Sequence, residues 1–178
     1  MRNLCLSLLS TVLICATASP GMCQQYRAGD QVVAIKRVKL TVDGKEVGDS
    51  VWPGLTLKVK AVNGEWLWLS NGKPGWVKDE NVIPLDRRAI DRLTEMIKSD
   101  PKDARLYNGR AVIWSNLGEV DIALGDLNEA IRLQPDASTY YTSRGVFRLR
   151  KKDYNAALAD FNEAIRRGGD RIARYNRG

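Results

Sequence analysis

The side chains that could perform acid–base chemistry are two pairs of carboxylates, Asp126 with Glu129 and Asp160 with Glu163. Within each pair the residues are three positions apart, which places them on one face of a helix, and paired carboxylates can act as general acid and general base. The two pairs, however, belong to the related segments DLNEA and DFNEA, which are 34 residues apart. Because they recur with a fixed period, we interpret them as structural residues of a repeat.

The rest of the composition offers little catalytic chemistry. The 178-residue chain has no histidine, and its three cysteines, Cys5, Cys15 and Cys23, all lie near its start. The commonest general base and metal ligand is therefore missing, there is no CxxC pair, and no glycine-rich phosphate loop precedes a helix. We predict that the protein is not an enzyme and needs neither cofactor nor metal.

The charge pattern argues against a nucleic-acid partner. The chain has 28 basic and 21 acidic residues and a net charge of +7. The two signs are mixed along the chain without a long run of either, which indicates a solvated surface rather than a clustered basic face. We predict no nucleic-acid binding, although the basic balance would suit an anionic polymer.

Residues 1–23 have the pattern of a secretory signal peptide. Arg2 precedes an apolar run from Leu4 to Ala18, which ends in the small-residue motif ATA. Cleavage could follow Ala18 or Cys23; an uncleaved anchor is the alternative, although the run is shorter than the roughly 20 residues of a membrane span. We expect an exported protein, periplasmic or secreted, with no transmembrane span after cleavage.

Residues 24–85 show the period-two hydrophobicity of β-strands. In VWPGLTLKVKAV, Leu55, Leu57, Val59 and Ala61 are predicted to share one face, with lysines on the other. Asn-Gly at 63–64 lies between two β-rich runs and predicts a hairpin, and DGKE at 43–46 predicts a further turn. Short strands with closely spaced turns favour a small all-β barrel.

The segment VNGEWLWLSNGKPGWVKDENVIPL resembles the bacterial Src-homology-3-like family in its hairpin, its Gly-Trp-Val strand and the turn before its last strand. The resemblance implies binding of cell-wall peptides, glycans or protein ligands. Trp66 and Trp68 share one face of their strand, and Leu67 and Leu69 share the other. If the leucines fill the core, the tryptophans point outward as a candidate ligand site; alternatively, they pack against the following helices or fill the core themselves.

From residue 86 the hydrophobic period is helical and the sequence repeats. ALGDLNEAIRLQPDA is followed 34 residues later by ALADFNEAIRRGGDR, and Ala89, Ala123 and Ala157 are equivalent. These features are similar to the tetratricopeptide repeat family, in which antiparallel helix pairs recur every 34 residues. The resemblance implies a second helix at 86–100, full units at about 104–137 and 138–170, and the start of another at 171–178.

We therefore predict an α+β multidomain protein, in which a small Src-homology-3-like barrel precedes an all-α tetratricopeptide solenoid. The resemblance implies a groove lined by the first helix of each unit, about 104–117 and 138–151. The predicted groove residues are Arg105, Asn108, Val112, Ser115, Asn116, Thr139, Thr142, Val146, Leu149 and Arg150.

The groove pattern does not imply the carboxylate-gripping subclass of these arrays. Asn108 fits one of that subclass's positions, but Val112 and Val146 stand where it uses asparagine. Our first hypothesis is an exported adaptor that binds a protein or peptide through the helices. The alternative is a cell-wall (peptidoglycan or glycan) binding protein that acts through the barrel.

An array of this length is at the margin of what can cover its own apolar faces. Either further repeats follow Gly178, or the barrel and the helix at 86–99 cap one end while a partner or a second copy covers the other. The sequence is therefore compatible with a homo-oligomer.

Overall fold

We analysed a computed structural model of the chain, which describes residues 26–70, 74–169 and 171–177. The predicted signal peptide and the Asn-Gly pair at 71–72 lie outside the described residues. The described residues confirm the α+β layout, a β-rich unit followed by a helical array. The elements are β1 (Gln31–Ala34), β2 (Val38–Val42), β3 (Lys45–Val51), β4 (Thr56–Asn63), β5 (Trp66–Ser70), β6 (Gly75–Lys78), β7 (Val82–Pro84), α1 (Arg87–Ser99), α2 (Ala104–Asn116), α3 (Val120–Leu133), α4 (Ser138–Arg150), α5 (Tyr154–Arg166) and α6 (Arg171–Arg177).

The described strands form one antiparallel sheet in the order β3-β2-β6-β5-β4-β1-β7. Asp43 and Gly44 both have positive φ between β2 and β3, as a two-residue type I′ hairpin requires. Gly64 has a φ of 59° in the predicted β4–β5 hairpin. Buried residues from the strands at both ends of the order, Val51 of β3 and Val82 of β7, belong to one core, so the sheet curves around it.

The register of β4 corrects one expectation from the sequence. Leu57 and Val59 are buried as predicted, but Ala61 is exposed and lies opposite Trp68. An irregularity between Val59 and Ala61 adds a residue and reverses the alternation, which strict period-two counting cannot anticipate. Leu55, which precedes the strand, is also 36% exposed rather than on the core face.

The helices pack as antiparallel pairs, α2 with α3 and α4 with α5. The first helices, α2 and α4, begin where the sequence predicted and end one residue earlier. The equivalent residues Ala123 and Ala157 are completely buried. Gly145 allows α4 and α5 to approach closely, since a Cβ atom there would lie 2.6 Å from the Phe161 ring. Among the described residues, none of the helices has the length and apolar character needed to span a membrane.

The curved sheet, which we call the barrel, packs directly on the start of the helical array. Val33 and Ile83 of the sheet share an apolar cluster with Leu93 of α1 and with residues of α2. At Gly109 of α2, a Cβ atom would lie 2.5 Å from the Gly54 backbone, so only glycine permits this contact. The barrel and α1 therefore cover one end of the array, which is one of the arrangements considered from the sequence.

Candidate functional site

The first helices of the two full units lie side by side. Arg150 near the end of α4 reaches α2, where its Nη1 donates to Ser115 Oγ at 2.5 Å. Eight of the predicted groove residues are accessible on these helices or beside them. Exposed are Asn116, Thr139 and Arg150, and half-buried are Arg105, Asn108, Val112, Val146 and Leu149.

The other two predicted groove residues are largely buried. Ser115 is 6% exposed and uses its hydroxyl to accept from Arg150. Thr142 is 7% exposed, and its hydroxyl donates to the Ser138 carbonyl oxygen of the same helix at 3.2 Å. The other eight form the accessible surface of α2 and α4 that we call the groove.

A pocket of about 220 Å³ lies at the barrel end of the groove. Arg105, Asn108 and Thr139, three of the predicted groove residues, form part of its wall. Its lining comprises Trp52–Leu55, Arg105, Asn108, Ala137, Thr139 and Tyr140. Sequence reasoning missed Trp52–Leu55, the turn between β3 and β4, because its place here depends on the long-range contact between Gly54 and Gly109.

The charged group in the pocket wall is already paired. Arg105 donates through Nε and Nη2 to the Asp103 carboxylate at 2.8 and 2.7 Å, and this raises the pKa of Arg105. Burial opposes the charge of Asp103, but hydrogen bonds from the Arg105 side chain and backbone outweigh it and lower the pKa of Asp103. Arg105 and Arg37 also stack on the Trp52 ring, each 4.0 Å from its centroid.

Two neutral polar side chains complete the inner wall. The Tyr140 hydroxyl donates to Gln134 Oε1 at 3.0 Å, and burial, followed by the nearby Asp103 charge, raises the pKa of Tyr140. Asn108 Oδ1 is buried and accepts no hydrogen bond from any described residue. An unpaired buried acceptor costs stability, so the Asn108 amide oxygen is a buried hydrogen-bonding group of this wall with unused capacity.

One part of the helical array matches a known family. Residues 115–172 match the sequence profile of the tetratricopeptide repeat family. No curated protein matches the chain.

Similar solved structures are also tetratricopeptide domains, and each covers about half of this chain. One is the second such domain of human RPAP3, solved in complex with the HSP70 peptide SGPTIEEVD. It is 27% identical with a TM-score of 0.48, and the match covers 51% of this chain and 77% of that one. The Sgt2 domain from Aspergillus fumigatus is 23% identical with a TM-score of 0.49; the match covers 51% of this chain and 62% of that one. The TPR2B domain of yeast Sti1, in a pHsp70 complex, is 32% identical with a TM-score of 0.45, covering 46% of this chain and 65% of that one.

The recurring carboxylates of the repeats are engaged in ion pairs. Asp126 accepts two hydrogen bonds from Arg110, at 2.8 and 2.7 Å. Its equivalent 34 residues later, Asp160, accepts from Arg144, which is equivalent to Arg110, and also from Arg148. The second carboxylate of each pair forms a surface ion pair with an arginine three residues later. This pattern supports a structural role in joining the two helices of each repeat.

Three tryptophans lie on the outer face of the barrel, which we call the aromatic face (Trp66, Trp68 and Trp76). Leu67 and Leu69 are 1% and 0% exposed and fill the core, so Trp66 and Trp68 point outward. Trp68 lies opposite Trp76 of β6, with ring centroids 5.1 Å apart at 65°. Trp76 was not among the predicted site residues, because strand alternation does not reveal which strand becomes the neighbour of β5.

Proposed function

We propose that this protein is an exported, non-enzymatic scaffold that binds a protein or peptide through the first helices of its tetratricopeptide repeats. The observation that carries the proposal is the accessible groove of α2 and α4, beside and within the segment that matches the family. Half-buried apolar side chains such as Val146 and Leu149 occur there together with exposed polar ones such as Asn116. Such a mixture suits a ligand that has both apolar side chains and a hydrogen-bonding backbone.

The non-enzymatic part of the proposal rests on the residues themselves. The chain has no histidine, and the recurring carboxylates that could act as acid and base are held by arginines. Among the described residues there is no group of three or more carboxylate or thiol side chains placed to hold a metal. Export rests on the residue pattern of the first 23 positions.

Ligand binding is tested by selecting peptides on the purified protein from a phage-displayed library of random 12-residue sequences. Their affinities are measured by calorimetry. We expect binders whose affinity falls at least about tenfold when the groove is filled by Asn116→Trp together with Thr139→Trp. Asn155→Trp, at an exposed position of α5, is the matched control and should leave affinity unchanged. Failure to select any binder, or binders indifferent to the double variant, contradicts the proposal.

Cell fractionation of the full-length chain in a bacterial host, followed by mass determination of its N-terminus, tests export. We expect the protein outside the cytoplasm with a new N-terminus at residue 19 or 24. An intact Met1 in a cytoplasmic fraction contradicts this part of the proposal.

A second candidate function is cell-wall binding through the barrel. The observation that favours it is the outward orientation of Trp66, which is 36% exposed, beside the Trp68–Trp76 pair, because exposed aromatic rings can stack on sugars or peptides. Cosedimentation with purified sacculi tests it. The protein should pellet, and a Trp66→Ala/Trp68→Ala variant should not. A Tyr154→Ala/Tyr175→Ala variant removes two exposed aromatic rings from the helical end and should still pellet.

A further inference from the structure

The pocket at the barrel end of the groove is a composite of two domains. The turn at 52–55 comes from the barrel, whereas Arg105, Asn108 and Thr139 come from α2 and α4. The close contact of Gly54 with Gly109 fixes the turn against α2, so the wall does not depend on ligand to assemble.

The charges around this pocket determine which ligands suit it. The positive charge of the Arg105 guanidinium is balanced by the Asp103 carboxylate, to which it donates two hydrogen bonds, and the guanidinium also stacks on Trp52. Its charge is therefore already balanced, and an acidic ligand would have to compete with Asp103 for it. The remaining wall contains Trp52, Pro53, Leu55 and Ala137, which present apolar surface.

The unpaired hydrogen-bonding group of the wall is uncharged as well. Asn108 Oδ1 lacks a hydrogen-bond partner among the described residues, and rotation about χ2, a broad torsion, can turn this oxygen towards the pocket. A side-chain amide can accept from one peptide group and donate to another. It can therefore pair with the backbone of a bound segment beside an apolar side chain.

We propose that this composite pocket binds a single uncharged aliphatic residue of a peptide, with the Asn108 amide contacting the adjoining backbone, and that it disfavours acidic residues. This inference rests on the proposed function, since it names the peptide chemistry that the groove selects at its barrel end. A volume of about 220 Å³ is large enough for a bulky aliphatic side chain. The barrel thereby contributes to the specificity of the tetratricopeptide groove.

The probe for the test is N-acetyl-L-leucine N′-methylamide, a leucine residue flanked by two peptide groups. It is titrated into the ¹⁵N-labelled purified protein while the Trp52 indole resonance, assigned with a Trp52→Phe variant, is followed by NMR. We expect a saturable shift, and at least about fivefold weaker binding of the glutamate and glycine analogues. No shift with the leucine probe, or equal binding of the glutamate analogue, overturns the inference.

Two variants separate the contributions of the barrel and of Asn108. Leu55→Ala shortens a barrel side chain that is 36% exposed, and it should weaken the leucine probe about threefold or more. Leu158→Ala shortens a comparably exposed leucine of α5 and should change nothing. Asn108→Leu should also weaken binding of the leucine probe, but this variant should still bind the leucine probe more tightly than the glutamate analogue. Unchanged affinity in both Leu55→Ala and Asn108→Leu overturns the composite site.

The peptides selected on the whole groove distinguish this inference from the function on which it rests. If no library peptide binds, the proposed function fails and the inference fails with it. If peptides bind but leave the Trp52 indole resonance unshifted and are indifferent to Leu55→Ala, the scaffold function stands and this inference alone is wrong. Enrichment of leucine, isoleucine or valine at one position of peptides that depend on Leu55 supports both.

Discussion

Substitution of Asp160 by asparagine is the sharpest test of what holds the repeats together. The Asp160 side chain is 3% exposed and lies between two arginines of α4. Arg144 donates through Nε and Nη2, with its shortest contact at 2.7 Å, and Arg148 donates through Nη1 at 2.8 Å. Asparagine has nearly the same shape, so Asp160→Asn removes the charge and leaves both guanidinium groups facing a neutral amide.

The expected loss follows from how little water reaches these groups. Removing one partner of a buried ion pair costs about 3–5 kcal/mol. The Arg144 and Arg148 side chains retain 17% and 26% exposure and can be partly hydrated, which places the expected loss near the lower end, at about 3 kcal/mol. For a chain of this size that corresponds to a melting temperature lower by about 6–12 °C.

Thermal unfolding followed by circular dichroism at 222 nm measures the effect. Glu129→Gln is the matched control, because Glu129 pairs with an arginine that is 67% exposed and its loss should leave the melting temperature almost unchanged. Asp126→Asn removes a carboxylate with one arginine partner, Arg110, and should fall between the two. If Asp160→Asn lowers the melting temperature no more than Glu129→Gln, the ion pairs are not what joins the helices of the repeat.

Three further outcomes follow from the glycine contact, the cap of α2 and the unpaired amide. Gly109→Ala places a Cβ atom 2.5 Å from the Gly54 backbone and should destabilise the protein by about 1–3 kcal/mol in thermal unfolding, whereas Gly125→Ala, in open space on α3, should stabilise it by about 0.5–1 kcal/mol. The folded-state pKa of Asp103 lies below its ordinary value of 3.8, so its contribution to the free energy of unfolding is present above pH 3.8 and is lost as the pH falls through the folded pKa. Asp103→Asn keeps the α2 cap, and the melting temperature of this variant should fall less steeply on acidification. Asn108→Leu removes an unpaired buried acceptor and should leave the melting temperature unchanged or raise it, while a clear decrease would mean that Oδ1 has a partner in solution.

The parts of the fold that could be predicted are those set by short-range spacing. Ala123 and Ala157 recur because two helices must approach closely at the same point of each unit, and the spacing of three and four residues identifies the buried face. The orientation of Trp66 follows from the burial of Leu67 on the opposite face, although the sequence alone allowed either side to be the core.

The parts that could not be predicted depend on contacts between distant residues. Ser115 belongs to the groove helix by register, but its hydroxyl is occupied by Arg150, which is 35 residues away. Ala61 left the core face because an extra residue enters the β4 ladder. The pocket forms because Gly54 contacts Gly109, and the sequence around each glycine does not indicate this contact.

Arg105 links the two domains at the point where the proposed ligand binds, which determines how variants there must be interpreted. Its backbone N–H donates to the cap residue Asp103, its guanidinium pairs with the same carboxylate, and its planar group stacks on Trp52 of the barrel. Replacing Arg105 would therefore disturb three things together: the ion pair at the start of α2, the stacking contact with Trp52 and the pocket wall. Leu55 differs, because the hydrogen bonds that it makes in the turn come from its backbone and remain when its side chain is shortened. A loss of binding at Leu55 without a change in stability consequently reports on the ligand, whereas the same loss at Arg105 would not distinguish a contact from a displaced domain.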